Sequence, residues 1–255
     1  MKIYGIQFDS EWNNKKANFN LVSALIKKQV VHQNSLIILP EMFATGFCLD
    51  PESTTKNEPQ RTELFLSGLA REMESWVIGG MTYPAKKMGK AYNTAVTFDP
   101  NGQSISVYKK IHPIPILAED KVHLEGRTIE NLSIGSFNVT PAICYDLRFP
   151  ELFRSALHSG TNLFVVLGCW PKSRINHWLT LLKARAIENQ SYVVGVNRIG
   201  KDEDLEYGGR TMVVSPQGQI LADGEEKQGI VEATIDGTLV NDWRTQFPAV
   251  REFIR

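Results

Sequence analysis

The chain has 255 residues, 42% of them hydrophobic, and its 28 basic side chains balance its 28 acidic ones. This length allows one large domain or two small ones, and the lack of a long run of either charge argues against a nucleic-acid or membrane-surface partner. No segment approaches the roughly 20 apolar residues that a membrane helix needs. The three cysteines are widely spaced and fit neither a disulfide framework nor a metal site. We therefore expect a cytoplasmic protein without a metal or cofactor.

In the first half of the chain, apolar strand patterns alternate with helical ones. Strands are predicted at 1–8, 36–39, 76–80, 91–98 and 104–108, and helices at about 16–31 and 60–74. A polar loop is predicted at 51–58, and the Asp-Pro-Asn-Gly sequence at 99–102 predicts a tight hairpin turn. The first half therefore has the order strand–helix–strand–helix–strand, followed by a hairpin.

The second half repeats this order. Strands are predicted at 137–143, 163–167, 192–197, 211–215 and 220–222, and helices at 150–158 and 175–190. Alternating elements indicate sheets covered by helices, and two similar halves indicate two sheets packed face to face. We predict the α/β class, with a four-layer α–β–β–α sandwich of two mixed sheets. No linker divides the chain, so residues 1–255 are expected to form a single domain.

Three polar residues occupy the ends of predicted strands: Cys144 after 137–143, Glu41 after 36–39, and Lys110 after 104–108. A thiol at a strand-to-helix turn is exposed for reaction, and neighbouring backbone N–H groups can stabilise negative charge. Taken singly, the three also fit a buried small residue, a capping carboxylate and a surface ammonium. Taken together, they indicate a cysteine hydrolase. The long segment 109–136 lies between two of them and is expected to form a wall of the active site.

The thiol needs a base, because a cysteine attacks as its thiolate. None of the five histidines lies in a papain-like or caspase-like motif, although His112 is two residues from Lys110. The alternative base is Glu41, which precedes the apolar residues Met42 and Phe43. Burial disfavours the ionised form of a carboxylate and makes it a better proton acceptor. An oxyanion could then lie between the Lys110 ammonium and the backbone N–H of Tyr145.

Three segments resemble, in order and spacing, motif blocks of the nitrilase superfamily of carbon–nitrogen hydrolases. They are Leu-Pro-Glu-Met-Phe at 39–43, Tyr-Lys-Lys-Ile-His at 108–112 and Ile-Cys-Tyr-Asp-Leu-Arg-Phe at 143–149. Later segments, at 170–171, 177–178, 184–189, 196–200 and 247–249, resemble the bacterial omega-amidase branch. The resemblance covers essentially the whole chain. It implies the same four-layer fold, with Glu41 as general base, Lys110 as oxyanion stabiliser and Cys144 as nucleophile.

The resemblance also implies a second catalytic glutamate, seven residues before a glycine of the middle loop. Gly126 points back to Glu119, with Glu125 as the competing assignment. Trp170 is expected beside the nucleophile, although core packing would explain it equally well. At position 169 these omega-amidases often carry a polar amide, whereas this chain has Cys169, which we expect to be a small core residue.

The activity implied is hydrolysis of small omega-amides, such as 2-oxoglutaramate, through a cysteine thioester. The alternatives are amides of deaminated glutathione, N-carbamoyl compounds, nitriles, and a catalytically silent regulatory homologue. A substrate carboxylate needs a cation; Arg148 and Arg174 are candidates, with Arg148 expected instead to tie Asp146 or a helix end. The expected substrate-binding residues are therefore Phe43, Tyr145, Trp170 and Arg174.

The resemblance further implies a homodimer joined near the helix after Cys144 and the C-terminal tail. The apolar residues Phe149, Leu152 and Phe153 fit a buried face of that helix. Packing into the core of a single subunit would explain these residues equally well.

Overall fold

Two six-stranded mixed sheets form the centre of the structure, a computed structural model that describes residues 1–56 and 60–254. The two sheets pack face to face, and helices cover their outer faces. The predicted α/β four-layer arrangement is therefore confirmed. In the described part of the chain, no helix is both long and apolar enough to cross a membrane.

Strands are numbered in chain order, and the first sheet has the order β14-β1-β2-β3-β4-β5. Its members are β1 (Lys2–Gln7), β2 (Leu36–Ile38), β3 (Trp76–Pro84), β4 (Ala91–Phe98), β5 (Ser104–Lys109) and β14 (Gly229–Thr234). Strands β1, β2 and β3 are parallel, whereas β4 is antiparallel to both β3 and β5. Strands β2 and β5 therefore run in the same direction and end at the same edge.

The second sheet repeats this plan in the order β13-β12-β9-β8-β7-β6. Its members are β6 (Leu132–Ile134), β7 (Phe137–Ile143), β8 (Leu163–Gly168), β9 (Tyr192–Asn197), β12 (Met212–Val214) and β13 (Ile220–Asp223). Strands β7, β8 and β9 are parallel, and β6 and β12 are antiparallel to their neighbours. A separate hairpin joins β10 (Ile199–Lys201) to β11 (Glu206–Gly208).

The helices are α1 (Lys15–Lys27), α2 (Pro51–Thr55), α3 (Gln60–Glu72), α4 (Pro150–Ala156), α5 (Ile175–Asn189), α6 (Gly237–Gln246) and α7 (Ala249–Ile254). Helices α1 and α3 pack on the first sheet, and α4 and α5 on the second. The side-chain alternation of strands explains both contacts. Leu36 and Ile38 belong to the core shared by the two sheets, whereas Ile37 and Leu39 belong to the core beneath α1 and α3.

The bounds of two predicted segments need correction, and β6, β10, β11, β14, α6 and α7 were not predicted. Helix α1 ends at Lys27 rather than near 31. Val30 is exposed, so it makes no packing contact that would stabilise a further turn. The predicted loop at 51–58 begins as α2, whose start is capped by the Asp50 side chain and followed by Pro51; residues 57 and 58 lie outside the described residues. Strand β14 was not predicted: it borders the sheet and is only partly buried, so its apolar alternation is weak.

Candidate active site

Three strand ends bring Glu41, Lys110 and Cys144 to one place. Glu41 lies three residues beyond β2, and Lys110 directly follows β5 at the same edge of the first sheet. Cys144 directly follows β7 of the facing sheet. The three residues are 0%, 1% and 6% exposed, so all three functional groups are removed from bulk water.

Lys110 bridges two buried glutamates. Its Nζ lies 2.9 Å from Glu41 Oε1 and 2.8 Å from Glu119 Oε2. Burial alone would lower the pKa of Lys110, but the negative charges of Glu119 and Glu41 outweigh it and hold that pKa well above its usual range. The cluster therefore contains a permanent cation between two carboxylates.

Glu119 is the second glutamate of this cluster. Burial would raise its pKa, but the Lys110 charge and hydrogen bonds from His123, Asn93 and Lys110 lower it to about 2. The backbone N–H of Ile114 also donates to Glu119 Oε2, at 2.7 Å. Glu125, the competing assignment, is exposed and does not take part in these contacts. The structure therefore places Glu119, ionised at neutral pH, beside Lys110.

Asn93 connects the two glutamates and was not found from the sequence. Its Nδ2 lies 2.7 Å from Glu41 Oε1 and 2.8 Å from Glu119 Oε1. Its backbone oxygen accepts a hydrogen bond from the Lys110 N–H at 2.8 Å. The one signal in the sequence is an amide within a strand that is otherwise rich in apolar and β-branched residues.

The remaining oxygen of Glu41 is held by the second sheet. Glu41 Oε2 accepts from the backbone N–H of Cys169 at 2.7 Å, and the Cys169 thiol donates to the Glu41 backbone oxygen at 3.2 Å. On the other side, a Cβ at Gly80 would lie 2.6 Å from Glu41 Cα, so only glycine lets β3 approach this turn. Cys169 is buried as expected, and its contacts are with the turn that carries Glu41.

The backbone at Cys144 is strained. Cys144 has φ +47°, in the left-handed region, which costs a non-glycine residue roughly 1–3 kcal/mol. Asp146 holds this turn by accepting hydrogen bonds from the Ile143 N–H (3.0 Å), the Tyr108 hydroxyl (2.7 Å) and the His112 N–H (2.9 Å). The same carboxylate thereby ties the Cys144 turn to the segment that carries Lys110.

His112 supports this turn rather than the thiol. Its Nδ1 lies 2.8 Å from Asp146 Oδ1, and its ring stacks on Phe149 at a centroid distance of 3.7 Å.

Burial and the negative charge of Glu41 raise the pKa of Cys144 well above its usual range, and the Lys110 charge does not offset them. The resting thiol is therefore neutral at physiological pH and needs a base in order to react.

A narrow pocket opens onto Cys144, with about 10 Å³ of free space, room for roughly one water molecule. It is lined by Phe47, Ile114, Leu117, Cys144, Tyr145, Arg148, Cys169, Trp170, Pro171 and Arg174. Tyr145, Trp170 and Arg174 thus lie where substrate-binding residues were expected. Phe43 does not: its ring packs 6.0 Å from those of Phe19 and Phe65, on the helix-covered face of the first sheet. The structure corrects that expectation and puts Phe47 at the pocket.

Arg148 also lines the pocket, which corrects its expected structural role. Its guanidinium carbon lies 4.7 Å from the centre of the Trp170 ring, and its NH1 and NH2 each lie 3.3 Å from His177 Nδ1. Asp146, its expected partner, is bound instead by the groups named above.

Within the described residues, no three His, Cys, Asp or Glu side chains are grouped as metal ligands would be.

Comparison with known proteins agrees with this fold. The carbon-nitrogen hydrolase family matches residues 5–245. The chain belongs to this family, and it is an enzyme that hydrolyses carbon–nitrogen bonds. The resemblance read from the sequence motifs is confirmed.

Two relatives and one solved structure illustrate the match. The chain is 38% identical to the 2-oxoglutaramate amidase of Paenarthrobacter nicotinovorans, over 87% of this chain and 79% of that protein. It is 33% identical to the deaminated glutathione amidase of a Synechocystis species, over 93% of both chains. A crystal structure of a CN-hydrolase superfamily protein from Xanthomonas campestris superposes with a TM-score of 0.90 at 28% identity, covering 99% of this chain and 96% of that one.

Proposed function

We propose that this protein is an amidase that hydrolyses small omega-amides, such as 2-oxoglutaramate or succinamate, to a carboxylate and ammonia. The observation that carries the proposal is the buried Lys110, held between Glu41 and Glu119, beside a narrow pocket that contains a cysteine. The similarity to a 2-oxoglutaramate amidase supports the amide substrate.

The first half of the reaction forms a thioester on Cys144. Glu41 takes the thiol proton as sulfur attacks the amide carbon, and the tetrahedral intermediate collapses when Glu41 passes that proton to the departing nitrogen. Transfer during attack suits a thiol whose pKa is raised, because no free thiolate has to persist beside two carboxylates. Ammonia leaves, and the acyl group stays on sulfur.

Lys110 and a backbone N–H stabilise the oxyanion of both tetrahedral intermediates. An ammonium has three N–H donors; Glu41 and Glu119 accept two of them, so one is left for the substrate oxygen. The second donor is the N–H of Tyr145, in the first turn of the short 3-10 helix Cys144–Arg148. Each such donor is worth about 10²–10³ in rate.

In the second half, water hydrolyses the thioester. Glu41, which is again unprotonated, takes a proton from the attacking water and returns it to the sulfur as the acid product leaves. Glu119 holds the Lys110 ammonium in place throughout, so the same oxyanion site serves both halves.

Two arginines at the pocket supply the cation that a substrate carboxylate needs. Arg148 lies over the Trp170 ring, and Arg174 lines the same pocket. A guanidinium can grip a carboxylate bidentately. An omega-amide has few atoms, so it needs less widening of this narrow pocket than a bulkier compound would.

The similarity to a deaminated glutathione amidase favours one alternative substrate, an amide that carries a peptide-like chain. N-carbamoyl compounds and nitriles are further alternatives within the same chemistry. Since the pocket leaves so little space, a peptide-like substrate would require the wall formed by Phe47 and Leu117 to move.

The test compares ammonia release from succinamate and from butyramide, which replaces the carboxylate by a methyl group. We expect succinamate to be preferred by at least about 10²-fold in kcat/KM. Arg148→Met and Arg174→Met should raise KM for succinamate and leave butyramide unaffected. Unchanged KM in one variant removes that arginine from the binding model.

Turnover by Cys144→Ala or Glu41→Gln above a small fraction of wild-type turnover contradicts the mechanism. If the wild-type protein releases ammonia from no amide or nitrile, it is a catalytically silent homologue.

We also propose a cytoplasmic homodimer. The three cysteines are free, as expected in a reducing compartment. Leu152 and Phe153 of α4 are buried within the subunit, but Phe247, Phe253 and Ile254 near the C-terminus are exposed and would be covered in a dimer. Light scattering should give twice the mass of one chain, and Phe253→Asp should lower it.

A further inference from the structure

His123 is a buried histidine that the mechanism above does not use. It follows the 3-10 helix Glu119–Lys121, and its ring is 1% exposed. Its backbone N–H donates to the Glu119 backbone oxygen at 2.7 Å, and the Leu124 N–H donates to the Ala91 oxygen of β4 at 2.8 Å. These bonds fix the ring beside Glu119, with Nδ1 3.2 Å from Glu119 Oε1.

The partners of Glu119 define the proton on this ring. Each Glu119 oxygen accepts two hydrogen bonds: Oε1 from Asn93 and His123, and Oε2 from Lys110 and the Ile114 N–H. An ionised carboxylate can only accept, so His123 carries its proton on Nδ1.

The far side of the ring faces a different environment. His123 Nε2 is buried and has no hydrogen-bond partner in the part of the chain that the structure describes. His123 also lines a cavity of about 670 Å³, whose wall includes Tyr92, Lys109 and Arg127. His123 therefore lies next to both this cavity and the ionic cluster.

We propose that His123 is a positioning residue, whose Nδ1–H holds Glu119 so that one N–H of Lys110 stays directed at the reacting carbonyl. Without this donor, Glu119 Oε1 keeps only Asn93 as a partner. The carboxylate can then rotate and take a second N–H of Lys110, which removes the donor that the oxyanion needs. Because this donor acts on the transition state, its loss should lower kcat more than it changes KM. The proposal deepens the proposed amidase function and rests on it.

The first test compares two substitutions at this position. His123→Asn places an amide N–H close to the position of Nδ1–H, whereas His123→Leu fills similar space without a donor. We expect His123→Leu to lower kcat about 10–100-fold, with KM within about threefold, because a small misplacement of a catalytic group costs about that much. His123→Asn should recover most of this loss. Thermal unfolding of both variants separates the hydrogen bond from packing, since packing alone would not distinguish their kcat values.

The cavity provides a second test. His123→Ala leaves a ring-sized space continuous with it, so added imidazole should restore kcat saturably. At a pH where both compounds are neutral, 1-methylimidazole has the same ring but a methyl group in place of the N–H hydrogen, and it should restore nothing. Turnover by His123→Leu equal to wild type, no recovery by His123→Asn, or equal rescue by the two compounds overturns the proposal.

A measurement that does not need turnover keeps this inference separate from the proposed activity. In ¹⁵N spectra of histidine-labelled protein at neutral pH, the signal lost in His123→Asn should be that of an Nδ1–H tautomer. An Nε2–H tautomer overturns the positioning role whether or not the protein hydrolyses amides. Failure of the wild-type enzyme on every amide, with the Nδ1–H tautomer present, counts against the proposed function alone.

Discussion

The two sides of the site lie at strand ends of two similar sheets, yet they differ in charge and hydrogen bonding. The turn after β2 carries Glu41, whose two oxygens are bound by Lys110, Asn93 and the Cys169 N–H. The turn after β7 carries Cys144, in a left-handed conformation and with its thiol neutral. The first side is a fixed ionic network, and the second holds a strained, uncharged thiol, the proposed nucleophile.

The difference has a simple electrostatic origin. In a buried environment two carboxylates repel strongly, and Lys110 offsets that repulsion. Burial disfavours a resting thiolate, which would also add a third negative charge to the same cluster, so the pKa of Cys144 is raised. In the proposed mechanism, charge develops at sulfur only when the substrate supplies an electrophile and the proton moves to Glu41.

Removal of Lys110 should have the largest effect on this contrast. In Lys110→Met, Glu41 and Glu119 are left buried without their cation, so turnover should fall by at least about 10³-fold and unfolding free energy by about 3–5 kcal/mol. Denaturant unfolding and ammonia release measure the two effects. Lys109→Met, at the exposed neighbouring position, should stay within about threefold of wild type. Similar losses in both variants would contradict the assignment.

Glu119→Gln should have the next largest effect, a loss of about 10²-fold in kcat because Lys110 is no longer held. It should also change stability in acid. The folded pKa of Glu119 is about 2, below the ordinary value of 4.5, so its ionised form stabilises the protein above about pH 4.5, and this stability is lost as pH falls toward 2. Unfolding measured across this window should depend less on pH in Glu119→Gln, whereas exposed Glu125→Gln should behave as wild type.

A smaller effect is expected on the nucleophile side. Tyr108→Phe removes the hydroxyl that donates to Asp146, which should cost about 1–3 kcal/mol of stability. Because the Ile143 and His112 N–H groups still hold Asp146, kcat should fall only severalfold. A fall as large as that of Glu119→Gln would show that the nucleophile turn depends on this single bond.

Cys169→Ala should have the smallest effect. The bond from residue 169 to Glu41 Oε2 comes from the backbone N–H, which alanine retains, and only the thiol contact to the Glu41 backbone oxygen is lost. We expect kcat within about threefold and a stability change of about 1 kcal/mol. A large loss of activity would indicate that the Cys169 thiol takes part in the chemistry.

Local patterns were enough to predict the four layers and the three strand-end residues, because both depend on alternation and on where strands stop. Glu119 could be predicted only from the family resemblance, since nothing in the sequence of its loop indicates that this side chain is buried. Asn93 and His123 could not be predicted, because each acts through contacts between segments distant in sequence. Phe43 and Phe47 could not be told apart either: which ring faces the pocket depends on the backbone of the turn after Glu41, where Met42 adopts φ +45°.

The central claim is that Cys144 carries the acyl group while the ionic cluster stays noncovalent. Acid quenching during succinamate turnover, followed by mass spectrometry of the proteolysed enzyme, tests this directly. We expect the Cys144 peptide to gain the mass of a succinyl group and this gain to disappear in Cys144→Ala. Turnover without such an adduct, or with the adduct on Cys169, would contradict it.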